Sequence, residues 1–212
     1  MADLLDHDTE LISLAAGCDP VGRGGLMLTL AEWVDSYPMN THPDLGRAGA
    51  VCPFTRLAKK KDTIRLRVSA AGPEHEDRVF ATLLAGFRDL ETIPAKGEAR
   101  ILRVVVIGFP RCDSDEGVTM LHRVQRRLRL HALLRFRMMG FMHPRSDSEG
   151  LWNPAFRPLR APMPVIAVRH LVEQDAPFIA RQHLQWGPYL LRYGLRGARR
   201  LYDVRRGKPV AG

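Results

Sequence analysis

Between Leu134 and Asp175 the chain gathers more groups able to do chemistry than anywhere else: His143, Arg145, Asp147, Trp152, Asn153, Arg169, His170 and Asp175. His143 follows Gly140, Phe141 and Met142, at the end of an apolar run. Strand ends in open α/β sheets are where ligands commonly bind. A histidine placed there could ligate a metal or a haem iron, or act as a general base; the structural alternative is a turn histidine bonded to backbone. Arg169 and His170 stand among apolar neighbours, and whichever faces inward needs a partner, because a buried charge is costly unless paired. A ligand carboxylate and Asp175 are both candidates. Arg47 has the same two readings. Cys52 lies just before Pro53, which is suited to the first position of a short helix. A cysteine near a helix N-terminus leans toward thiolate, fit for a nucleophile or a ligand. It packs equally well as a small apolar residue.

Other chemistries are argued against by spacing. There is no His-Glu-x-x-His, no Walker-type phosphate loop, and the glycines of 18–25 do not join a strand to a helix in a dinucleotide fingerprint. The 212 residues, 45% hydrophobic and 26% charged, suit one domain with a core of its own. The net charge of +9 invites an anionic partner. The basic residues are scattered rather than clustered, which argues against nucleic acid and leaves a small anionic ligand among the candidates. Three widely spaced cysteines, Cys18, Cys52 and Cys112, make no disulfide framework and point to a reducing compartment. The acidic N-terminus lacks a signal-peptide pattern, and no apolar run is long enough for a membrane span. A cytoplasmic protein is the expectation; the sequence assigns no oligomeric state.

These groups must be positioned by elements the pattern predicts. Helices are expected over 3–16, 25–37, 73–92 and 115–131, from apolar residues recurring every three to four positions. Strands are expected over 63–70, 100–109, 132–142 and 163–171, the second a β-branched run of the kind covered on both faces. The proline-rich loop 38–61 and the loop after His143 connect them, and a basic helical tail closes the chain. The expected fold is α/β: one domain spanning 1–212, a sandwich around a mixed sheet of four or more strands. Its core lies at about 26–185, with the N-terminal helix 3–16 and the tail 186–212 appended.

Three motifs, HPDLGRAGAVCPF (42–54), MMGFMHP (138–144) and PMPVIAVRHLVEQDAPF (162–178), resemble in order an uncharacterised actinobacterial domain family found in natural-product biosynthesis clusters. The likeness covers roughly residues 30–185. More remotely, the CPF, the His-Pro at a strand end and the later strand ending in Arg and Asp are similar to the YqcI/YcgG family, some of whose members are haem-dependent N-oxygenases. That resemblance implies His143 as the proximal haem ligand and Arg47, Arg145 and Arg169 as cofactor or pocket contacts. Cys52, also a pocket contact on that likeness, and Arg169 are the catalytic candidates, and Met138, Met139, Phe141, Met142, Trp152 and Phe156 could line the apolar slot that haem needs. The chain departs from the pattern in carrying Arg135 and Arg137 before His143, and only Arg145 of the basic run after it. The implied activity is oxygenation of an amino-acid-like nitrogen in secondary metabolism. The alternatives are a non-catalytic accessory protein holding an anionic small molecule through Arg47 and Arg169, or a Cys52-dependent transferase or hydrolase.

Overall fold

The computed structural model describes residues 7–19, 25–180 and 183–206. Its centre is a mixed sheet of β1 (Ile12–Ser13), β2 (Ile64–Val68), β3 (Val104–Gly108), β4 (Arg137–Met142) and β5 (Val165–His170). The strand order is β1-β2-β3-β5-β4. β2 and β3 are parallel, and β5 lies antiparallel between β3 and β4. All four expected strands form, and the α/β sandwich is the fold. Two strands start later than the pattern suggested. Gly97–Leu102 is a 3-10 turn, and α5 (Asp115–Leu134) takes up residues 132–134 before the chain turns through Arg135 and Phe136.

The other helices are α1 (Leu14–Gly17), α2 (Gly25–Ser36), α3 (Thr55–Lys60), α4 (Glu76–Thr92), α6 (Ala176–Ala180) and α7 (Trp186–Arg205). α4 begins with Glu76 and Asp77, which complement the helix dipole. Its Val79, Leu83, Phe87 and Leu90 are buried on one stripe. α5 is capped by Ser114, whose hydroxyl accepts from Gly117 N at 3.1 Å. It turns Leu121, Val124 and Leu128 inward.

Among the described residues, the helix expected over 3–16 does not form before Leu14. Residues 1–6 lie outside the described residues, and from Asp8 to Ser13 the chain runs along β2. Thr9 N donates to Val68 O at 2.8 Å, and Ile12 pairs with Leu66. The cause is Asp8, whose carboxylate accepts from Ala70 N, Ser69 Oγ and Arg78, each at 2.9 Å, and from Thr82 at 3.2 Å. Those partners surround the end of β2. Burial works against the Asp8 charge, yet these donors together hold its carboxyl below the usual range. Of the described residues in this stretch, Leu14–Gly17 are helical, capped by Ser13.

Successive strand residues face opposite sides, so the register assigns each side chain to a layer. Val105, Ile107, Met139, Phe141, Ile166 and Val168 pack under α4 and α5. Ile64, Leu66, Val68, Val106 and Val165 pack with α1, α2 and α3 on the other side. A third cluster joins Leu133 and Leu171 to α6 and α7.

Candidate functional site

The 38–54 loop and the 150–158 loop hold each other. Asn153 Nδ2 donates to Asp44 O at 2.8 Å, the His42 ring meets Phe156 at 4.6 Å, and Tyr37 OH donates to Pro158 O at 3.3 Å. Gly46 has φ +76, and a side chain there would press on the Trp152 backbone at 3.1 Å, so only glycine suits the position. Arg47 is spent within this lock. It donates to Ala48 O, Ala50 O and Val51 O at 2.8 to 3.2 Å and lies 5.9 Å over the Trp152 ring.

The locked loop carries Cys52, whose N donates to Pro38 O at 2.8 Å, into electrostatic reach of Arg169. Arg169 has the strand parity of Val165 and Ala167, so it points to the α2 side of the sheet. Its guanidinium is paired with Asp175 at 2.8 and 2.5 Å, and Asp175 is 2% exposed against 30% for the Arg169 side chain. Burial works against the Arg169 charge, but the Asp175 carboxylate outweighs it and holds the guanidinium above its ordinary value. Of the two partners considered for Arg169, the structure supplies Asp175.

On that side α2 covers only the β2–β3 half. Over β4 and β5, Met138, Gly140, Met142, Ala167 and Arg169 are all partly exposed. A Cβ on Gly140 would meet none of the described residues within 4 Å. The result is a partly exposed strip, a shallow trough floored by Gly140 and Ala167 between Met138 and Met142, with Arg169 beside Met138 at one end.

His143 lies on the opposite face. Its ring stacks on Phe141 at 5.1 Å and meets His122 of α5 at 6.1 Å. Its backbone N donates to Leu159 O, while Nδ1 is buried without a partner. Burial, reinforced by Arg145 and opposed by Asp113 and Asp147, lowers its pKa; His122 is lowered by burial and by His143. Arg145 is held by Asp113 at 3.0 Å and by Asp115 at 3.5 Å. The structure therefore brings Cys52 and Arg169 to one face and His143 and Arg145 to the other, with Arg47 committed to its loop.

The side chains do not fit a porphyrin. Met139 and Phe141 belong to the α4–α5 layer, Met142 to the α2 layer and Met138 to the α7 cluster, while Phe156 is packed on His42. Among the described residues these side chains do not gather on one side of His143. Among the described residues no three His, Cys, Asp or Glu side chains gather to hold a metal ion. Two surface hollows, of about 200 and 400 Å³, lie elsewhere, beside Trp186 and Tyr202 and between Leu57 and Leu102. No helix among the described residues is long and apolar enough to cross a membrane.

Sequence reasoning missed Gly140, because a glycine in a strand signals nothing about what covers it. It also missed Arg103 and Glu91, which reach the end of the sheet only through register and helix packing.

Fold and site together define an α/β domain with a mixed five-stranded sheet, one of whose faces is, among the described residues, partly exposed over β4 and β5. The chain belongs to the family described as a domain of unknown function, DUF6875, whose model matches residues 27–203. No curated protein and no solved structure matches it.

Proposed function

We propose that this protein is a non-catalytic binding module that takes a small molecule with an apolar body and one anionic group onto the open half-face of its sheet. The observation that carries the reading is Gly140, with none of the described residues within 4 Å of where a Cβ would stand, beside the half-buried Ala167. Sheet faces are ordinarily covered, and an exposed apolar recess with one charged group at its end is how small-molecule sites are built. Arg169 orients the anionic group. Because Asp175 already matches its charge, most of the affinity comes from apolar contact with Met138, Ala167 and Met142. The loop carrying Cys52 forms the rim. An accessory role in small-molecule biosynthesis is the setting that the motif resemblance implies.

The test uses anilinonaphthalene sulfonate, an apolar body with one anionic group, titrated into the native protein and into Gly140→Phe. Its Cβ would stand in open space, and the phenyl ring would extend over the trough. Saturable one-site fluorescence should weaken at least about tenfold in the variant, with the melting temperature unchanged. Equal binding by both proteins would remove the trough as the site.

A further inference from the structure

The α4 side of the sheet carries a second constellation at the strand ends. Val104 pairs with Arg169, so Arg103, one residue earlier, stands level with His170, and His170 pairs directly with Arg137. All three have the parity of Val105, Val168 and Met139 and face α4. Arg103 and His170 are 9% and 8% exposed. Arg137 donates to His170 Nδ1 at 3.0 Å. A guanidinium only donates, so Nδ1 holds the lone pair and the ring proton is on Nε2. That Nε2–H is buried with no partner, and so is the Nε–H of Arg103. Buried donors are nearly always satisfied, so two orphans in one cross-strand row mark a place built for an acceptor.

Glu91, from the last turn of α4, bridges the row. It accepts from Arg103 at 3.3 Å and from Arg137. Its side chain is 50% exposed, against 10% and 16% for the two arginines. The cations are built into the wall, and the carboxylate hangs over them from the solvent side. Arg192 of α7, lying over the Phe136 ring, adds positive charge within electrostatic reach of His170.

We propose that the row of Arg103, His170 and Arg137 is a binding site for a phosphate-like oxyanion, and that Glu91 is its built-in placeholder, swinging out as the anion enters. Two carboxylate oxygens serve the two guanidinium groups and leave the Arg103 Nε–H and His170 Nε2–H unmet. A tetrahedral oxyanion has further oxygens for both, and as a dianion it matches the two arginines once Glu91 has left. The site lies on the opposite face from the trough and stands whether or not the trough binds.

The experiment is calorimetric titration of inorganic phosphate into the full chain at low ionic strength, near neutral pH. One saturable site is expected in the native protein. Glu91→Gln, which weakens the internal competitor by removing its charge, should bind about tenfold tighter. His170→Asn keeps an acceptor for Arg137 but removes the Nε2–H, and should bind about tenfold weaker. Arg192→Gln, at an exposed position, should weaken binding several-fold with the melting temperature followed alongside. Acetate, offering only what Glu91 already supplies, should compete poorly. The proposal is overturned if Glu91→Gln shows no saturable site, if it binds no tighter than the native chain, or if both His170→Asn and Arg192→Gln bind as the native chain does.

Discussion

His170 sits where its charge is opposed from every side. Burial first, then the charges of Arg137, Arg192 and Arg103, push its imidazole down to about 4 from an ordinary 6.5. As pH falls below about 6.5 the unfolded chain takes up a proton that the folded chain refuses, so acid favours unfolding. The contribution is absent above about pH 6.5 and complete below about 4. It amounts to about 3 kcal/mol in all, of which about 2 kcal/mol has gone by roughly pH 5. His170→Asn places its side-chain oxygen where Nδ1 was, keeping the Arg137 bond without a titrating ring. Urea unfolding of the variant should therefore lose about 2 kcal/mol less than the native protein between roughly pH 7.5 and pH 5. Equal losses would show that the imidazole is not held neutral by the fold. His170 was visible in the sequence as a histidine among apolar residues. Its tautomer was not, because that depends on Arg137, which pairs with it only through the strand register.

The join between β5 and α6 rests on one carboxylate. Asp175 pairs with Arg169 and also accepts from Val172 N at 2.9 Å, closing the turn that leads into α6. Asp175→Ala removes the charge partner of Arg169 and an acceptor for a buried N–H, and should cost about 3 kcal/mol in urea unfolding. The double variant Arg169→Met with Asp175→Leu puts apolar groups in place of both charges and should recover much of that loss. If the double variant is as unstable as the single one, the pair is more than a matched charge. At this scale the sequence was most readable where the signal is local. The run 100–109 announced a strand covered on both faces, formed by Val104–Gly108, and α4 and α5 announced their apolar stripes. β1 gave no such signal, since its extended course follows from Asp8 reaching Ala70, Arg78 and Thr82 far along the chain. Asp175 was readable as a partner for Arg169 because only a short turn separates them.

Across the whole molecule, the sheet sorts the chemistry that the sequence had placed side by side. Met138, Met139 and Met142 are neighbours in the chain, yet they point into three different clusters. His143 and Arg169 were candidates for one pocket, and strand parity puts them on opposite faces. Spacing along a strand is legible in one dimension, whereas a pocket needs the pairing of several strands. The net charge of +9 is likewise divided: Arg65, Arg67, Arg78, Arg111, Arg123, Arg127, Arg145 and Arg160 pair with carboxylates. Arg103 and Arg137 share Glu91, and Arg192 stands within electrostatic reach of His170 beside them. This separation yields a prediction about haem. A haem protein needs one apolar slot, an axial donor facing into it and cations at its edge. Here His143 has Phe141 stacked on its ring and His122 edge-on, and Arg145 is committed to Asp113 and Asp115. Opening a porphyrin-sized slot would displace Phe141 from the α4–α5 core. Removing so large a buried side chain from its contacts costs about 3 kcal/mol or more. Haemin titrated into the purified protein should give only a weak, non-saturating Soret change, the same in His143→Ala as in the native chain. A stoichiometric band lost in that variant would mean that the face under α5 opens in solution, and that His143 is a ligand after all.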